Sequence, residues 1–514
     1  MINQSKIDSI RLKDISVGYA DGLKEANDEK FETIFYTENN KYHQLATNQS
    51  IFIISGKKGT GKTILAKYFQ HECNKNNHPT QMLTNKDIIL RQLIEKGNLE
   101  PSKNERKLLI EYTIYREFAN LIYKHKNQIP KVVRLFNRKK MSYLKSVVEE
   151  RDHSENFIQR QYSTDIEDSS IYSSGTFFKK VLGIFNLSHR YAKHAQYERN
   201  PYYNQLNRIK ECVFLFMRHI QVNIIFDDLD EYDSIITGNE SFTSFLLDLI
   251  DCTSTINDDI QFNKCQNCRV ILLLRSDIIQ ILNNYGKNLS KKTSNCEITL
   301  NWMKNSHSKE IQPLMDLITT KIKKSNTQLY AISNQEVYDR FFPKEIKGIP
   351  LNKYILHATF GRPRDVINML NIIIQEHPAK TKFDEKLFTS TRLAYSRNFQ
   401  NELRNEMSSY YAPELISDIF NLIIIHNKTE FWKDEIEDTF CKNQNKFLEL
   451  KDVSEFIDIS YNFGIIGNVW LADNKKRQSA RRYSWKYRED GHDYPDVSKR
   501  FILHNGLQKS LINI

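Results

Sequence analysis

The stretch that most constrains this chain is Gly56-Lys57-Lys58-Gly59-Thr60-Gly61-Lys62-Thr63. An apolar run, Ile51 to Ile54, leads into it, and a helix-like segment, Ile64 to Gln70, follows at once. The eight residues fit G-x-x-x-x-G-K-[ST], the phosphate-binding loop pattern of nucleotide triphosphatases. Each residue type has a physical reason. Gly56, Gly59 and Gly61 let the backbone turn where a side chain would clash, so successive N–H groups can face one anion. The helix starting near Gly61 adds its positive dipole end. Lys62 brings a point charge to the β- and γ-phosphates, and the Thr63 hydroxyl is a candidate Mg²⁺ ligand. Lys57, Lys58 and Thr60 complete the expected cofactor-binding set.

A second diagnostic stretch is Val222-Asn223-Ile224-Ile225-Phe226-Asp227-Asp228-Leu229-Asp230-Glu231. A β-rich apolar run ends in a carboxylate cluster. Such a strand is expected beside the strand of the glycine-rich loop, with its C-terminal end facing the phosphates. Asp227 is the candidate second Mg²⁺ ligand. Asp228 is the candidate for orienting an attacking water, with Asp230 and Glu231 as alternatives. A third run, Arg269 to Leu274, reads as a central parallel strand. Arg275, Ser276 and Asp277 at its end are placed to reach a γ-phosphate. The fourth landmark is Thr359-Phe360-Gly361-Arg362-Pro363-Arg364-Asp365. Pro363 punctuates a helix start. Arg362 and Arg364 there oppose the helix dipole, which points to an anionic partner.

Elsewhere the chain is less decodable. Residues 85–215 read as a mostly helical insertion, dense in cations from Lys124 to Lys145. From residue 411 onward, helical patterns over Pro413–His426, 434–440 and 451–461 precede a strand pattern at 464–471 and a partner at 483–487. Helix–helix–helix–hairpin is the order of a winged helix. Its basic tip, Lys475, Lys476, Arg477, Arg481 and Arg482, is a candidate nucleic-acid contact through phosphate.

At 514 residues the chain has room for about two to four domains. The excess of 74 Lys+Arg over 63 Asp+Glu is modest, so its placement matters more than its size. No apolar run approaches the roughly 18 residues of a membrane span. The N-terminus lacks a signal-peptide core, and seven scattered cysteines fit reduced thiols. A cytoplasmic protein without a membrane partner is the expectation. Cys265-Gln266-Asn267-Cys268 lacks a second ligand pair at zinc spacing and reads as an ordinary loop. No nuclease, protease or deaminase constellation is visible.

The four landmarks, with Gly464-Ile465-Ile466-Gly467-Asn468 and the early Gly18-Tyr19-Ala20-Asp21, resemble bacterial P-loop ATPases of the additional-strand division, near the AAA+, STAND and KAP-type ATPases. The resemblance covers about residues 10–80, 218–285 and 340–514. It implies an α/β P-loop core (51–330) with a parallel sheet, the 85–215 insertion and an N-terminal segment (1–50) packed beside it. A helical lid (331–410) bearing Arg362 and Arg364, and a winged helix (411–514), would follow. It also implies ATP, a mobile-element or phage-defence setting, and a partner effector. An arginine acting in trans would require a homo-oligomer. Two other classes remain: a nucleotide-gated scaffold without catalysis, and a winged-helix DNA-binding regulator.

Overall fold

The computed structural model describes residues 7–37, 39–84, 103–149, 201–229, 240–285, 295–302, 312–408, 410–472, 480–488 and 491–512. Asp230, Glu231, Lys475, Lys476 and Arg477 lie outside them.

A five-stranded parallel sheet organises the first part of the chain. Its strands are β1 (Ile53–Ser55), β2 (Thr80–Leu83), β3 (Asn223–Phe226), β4 (Arg269–Leu274) and β5 (Glu297–Thr299), in the order β2-β3-β4-β1-β5. The apolar runs read as strands because both of their faces are covered. Alternate residues go to opposite sides. Ile53, Ile224, Phe226, Val270, Leu272 and Leu274 face one buried layer, and Ile54, Ile225, Ile271 and Leu273 face the other.

Two expectations change here. The acidic strand β3 does not lie beside β1. β4 stands between them, with Ile53 paired to Leu272 and Phe226 also paired to Leu272. All six residues of β4 are buried, so it offers two apolar faces and takes a central place. The supposed insertion is also part of the sheet's own core. Helices Lys103–Lys124 and Pro201–Met217 cover one face together with helix Glu240–Phe262. The opposite face is covered by helix Lys62–Lys75 and by short N-terminal helices carrying Phe31, Phe35 and Leu45.

Arg269 anchors the start of β4. Its buried guanidinium donates to the carbonyls of Asn48 (2.8 Å), Ile51 (3.0 Å) and Leu45. The orphan carbonyls at the end of helix Lys41–Thr47 are thereby satisfied. Burial pushes this guanidinium down to about 10.

One continuous apolar core runs through the second half, across the expected boundary between lid and terminal domain at 410. It joins helices Pro313–Ser325, Leu351–Ala358, Pro363–Glu376 and Arg392–Met407 to later residues such as Ile416, Ile436, Phe456, Phe501 and Leu507. Residues 7–17 pack into it too, so the N-terminal segment serves both halves. A small hairpin, β6 (Glu345–Ile346) and β7 (Ile349–Pro350), decorates it. The helix–helix–helix–hairpin order is present: Pro413–His426, Lys433–Lys442 and Val453–Asn462, then β9 (Ile466–Ala472) and β10 (Ala480–Ser484). Two further strands, β8 (Glu430–Phe431) and β11 (Arg500–Leu503), extend the sheet to the order β10-β9-β11-β8. The final helix, Asn505–Leu511, returns to pack on Arg392–Met407, where Ser510 N donates to Ser396 Oγ (3.0 Å).

Candidate functional site

β1 ends at Ser55, and the backbone then turns through Gly56, Gly59 and Gly61, all at positive φ (157°, 83° and 97°). At Gly59 the turn is also crowded, since an added Cβ would lie 3.1 Å from Arg364 Cβ. Helix Lys62–Lys75 begins at once, with Gly61 as its N-cap and no side chain capping it. Its first N–H groups have no intrahelical partners, which makes this end a place for an anion. The Lys62 ammonium lies over the loop, donating to the carbonyls of Gly56 (2.9 Å) and Lys57 (3.3 Å). The loop is braced by Thr60 Oγ1 donating to Lys57 O (2.8 Å) and by Trp302 Nε1 donating to Thr60 O (2.8 Å).

A cleft opens over this loop. Lys58 to Leu65 line it together with Asp227, Asp228 and Arg275. The sheet order explains the convergence: β1, β3 and β4 are parallel, so their C-terminal ends reach one edge. Asp227 is buried at the end of β3, and its Oδ1 accepts from Asp228 N (2.9 Å). Asp228 holds a left-handed backbone, φ 54°, a conformation aspartate tolerates better than most residues. Arg275 donates through Nε to Asp277 Oδ1 (3.1 Å) and through Nη2 to Asp277 Oδ2 (2.6 Å). Burial opposes ionisation of Asp277, and the Arg275 charge outweighs it, holding that carboxyl below its usual range.

The two arginines of the fourth landmark separate. Arg364 lines the cleft, its Nε donating to Ala20 O (3.4 Å) and its backbone N to Gly59 O (3.4 Å). Arg362 does not line it. Its buried guanidinium is held by Asp365 (3.1 and 3.2 Å) and Glu406 (3.0 Å), and it donates to Lys58 O (3.1 Å). Its task is therefore to clasp the glycine loop to the helices behind it. Lys57 also turns away from the cleft, donating to Tyr487 O (3.0 Å). Of the basic tip, Arg481 is ion-paired with Glu430, which draws it from a free phosphate-contacting role, while Arg482 is exposed. Cys265 and Cys268 are buried, and burial pushes their thiols up to about 11 and about 12. Such groups resist the deprotonation that metal ligation needs.

Sequence reasoning missed the far wall of the cleft. Tyr19, Ala20, Gly22, Glu25 and Tyr36 line it from the N-terminal segment, Trp302 from the stretch after β5, and Leu317 and Lys321 from helix Pro313–Ser325. Glu25 and Lys321 form a buried ion pair, and Glu25 Oε2 also accepts from Tyr19 N (2.8 Å). Gly18 allows this closeness, since a Cβ there would lie 2.6 Å from Glu25 Oε2. Asn371 Nδ2 donates to Gly18 O (3.0 Å) and Ser16 N to Ser325 Oγ (2.9 Å), stitching the segment to the helices. The one available signal was Gly18-Tyr19-Ala20-Asp21; nothing local marks Lys321.

Residues 312–404 match the FunZ-associated C-terminal helical domain. The matched stretch supplies Leu317, Lys321, Pro363, Arg364 and Ile367 to the cleft. No curated protein matches the chain. Among the described residues no helix is long and apolar enough to cross a membrane.

Proposed function

We propose that this chain is an ATP-binding and hydrolysing molecular switch of the additional-strand P-loop division. The observation that carries the reading is one cleft holding a positive-φ glycine loop at a helix N-terminus, two carboxylates from β3 and Arg275 from β4. The donor set suits a magnesium–triphosphate: backbone N–H groups and an ammonium for phosphate, a hydroxyl and a carboxylate for the hard cation. Bound Mg²⁺ would neutralise charge that develops on the phosphates.

The residues then have distinct tasks. The loop from Gly56 to Thr63 cradles phosphate, and Lys62 exchanges its carbonyl partners for phosphate oxygens. Thr63 and Asp227 hold the cation. Asp228 accepts a hydrogen bond from the attacking water and orients it, with Asp230 and Glu231 as alternatives. Arg275 and Arg364 neutralise charge on the γ-phosphate; a neighbouring copy offering such an arginine would couple turnover to assembly. Arg362 transmits loop position to the C-terminal helices. ATP rather than GTP follows from the family resemblance. The strand β4 between β1 and β3 supports the additional-strand assignment.

The FunZ-associated match and the resemblance together favour a mobile-element or phage-defence setting with a partner effector. The helix–helix–helix–hairpin order favours a winged helix, with Lys475, Lys476, Arg477 and Arg482 as the residues to touch DNA phosphate. Phosphate release by wild type, Lys62→Ala and Asp228→Asn tests the catalytic assignment. Losses of about 100-fold or more are expected for both variants. Wild-type rates in both would sink it.

A further inference from the structure

One surface of the helical layer is built for a partner that the cleft does not require. Residues 124–148 hold eight Lys and Arg and no Asp or Glu. Among the described residues only Lys145 of these eight has a carboxylate partner, Glu149 at 3.3 Å. Within this stretch lies helix Lys131–Phe136, which presents Val132, Leu135 and Phe136 to solvent at 62%, 73% and 87% exposure. Positions i, i+3 and i+4 share one helix face, so the three form a single apolar knob. Val133, on another side, packs against the buried layer, and Ile129, Leu144 and Val147 are buried on either side of the helix. The knob is therefore held outward by a rooted base. Lys131 and Arg134 share its helix, and Arg138, Lys139 and Lys140 follow it.

An exposed Phe and Leu among cations without a carboxylate partner among the described residues are unfavourable in water and call for a covering surface. A groove would take a peptide or a helix; this is a projection. Contact with nucleic-acid phosphate uses the cations of such a surface and leaves its apolar tip in water unless that tip is wedged between bases. An apolar wedge ringed by Lys and Arg matches the boundary between anionic headgroups and acyl chains, where both parts are satisfied together. We infer that the 131–140 surface docks on an anionic lipid bilayer, with Val132, Leu135 and Phe136 entering the interface and the surrounding cations meeting the headgroups. This is surface binding without a spanning helix, and it replaces the expectation of no membrane partner.

Co-sedimentation of the full chain with vesicles tests it, comparing pure phosphatidylcholine with equimolar phosphatidylcholine and phosphatidylglycerol. Wild type should pellet with the anionic vesicles alone, and less as salt is raised. Leu135→Ser/Phe136→Ser and Lys139→Glu/Lys140→Glu should each lower binding about tenfold. Both pairs are surface substitutions, and an unchanged circular dichroism spectrum confirms the fold. The inference is overturned if wild type fails to pellet, if pure phosphatidylcholine binds equally, or if the Leu135/Phe136 variant binds as wild type. Duplex DNA binding that this variant loses, without vesicle binding, would make the surface a nucleic-acid site instead.

Discussion

Arg275 Nη2 donates to the phenol of Tyr410 at 2.9 Å, although the two residues lie 135 positions apart. Tyr410 in turn donates to Asp277 Oδ2 (3.0 Å), and its ring packs edge-on to Phe463. The arginine at the end of β4 is thus held by the segment that leads into the C-terminal helices. Four residues before Tyr410, the end of helix Arg392–Met407 sends Glu406 to Arg362. Arg275 and Arg362 therefore answer to one stretch, residues 406–410.

Tyr410→Phe removes one oxygen that accepts from Arg275 and donates to Asp277. If Arg275 serves the γ-phosphate, the variant should release phosphate about tenfold more slowly with little change in ADP affinity. Steady-state phosphate release beside equilibrium binding of a fluorescent ADP separates these. An unchanged rate would remove Tyr410 from the site.

Lys321→Met leaves Glu25 as a buried carboxylate without its cation. The expected loss of stability is about 3–5 kcal/mol, read by urea unfolding. Adding Glu25→Gln should recover part of it, because the stranded charge is then gone. Equal losses in the single and double variants would show that the stranded Glu25 charge costs nothing.

Asp418 is buried in helix Pro413–His426, and its Oδ2 accepts from the backbone N–H groups of Leu448 (2.7 Å), Glu449 (2.7 Å) and Leu450 (3.1 Å). Asp418→Ala orphans three donors at once. A loss of about 2–4 kcal/mol is expected in urea unfolding followed by circular dichroism.

His504 is fully buried, with Nδ1 accepting from Gly506 N (3.1 Å) and Nε2 beside the Tyr487 phenol (3.1 Å). Burial first, then the Arg488 cation, pushes it down from 6.5 to about 3. The folded state keeps it neutral while the unfolded chain takes up a proton below 6.5. Stability is then full above that value and falls as pH drops towards 3, by at most about 1.4 kcal/mol per pH unit. His504→Asn, which can still accept from Gly506, should flatten the dependence of the melting temperature between pH 6.5 and 4.5.

The sequence was most legible where the determinant is local. Three glycines and a lysine at fixed spacing decide the 56–63 turn, because positive φ is a property of single residues. The uniformly apolar runs of β3 and β4 announce buried parallel strands. The short β2 and β5 escaped notice, since Thr80–Leu83 and Glu297–Thr299 carry too few apolar residues to stand out. Residues 103–124 and 201–217 have clear helical periodicity, but periodicity does not say which surface a helix covers. They read as an insertion, and they help helix Glu240–Phe262 cover one face of the sheet.

By itself, then, the sequence determined the parallel-strand core, the glycine turn and the acidic and basic residues that end its strands. Each of these follows from a few neighbouring residues. Only the tertiary structure decided that β4 separates β1 from β3, that Arg364 enters the cleft while Arg362 is clasped behind it, and that Glu25 meets Lys321. These depend on contacts between residues far apart in the chain, 296 positions for the last pair, which no local pattern encodes. A guanidinium's partners are set by which carboxylates the fold delivers, and Asp365 and Glu406 reached Arg362 first.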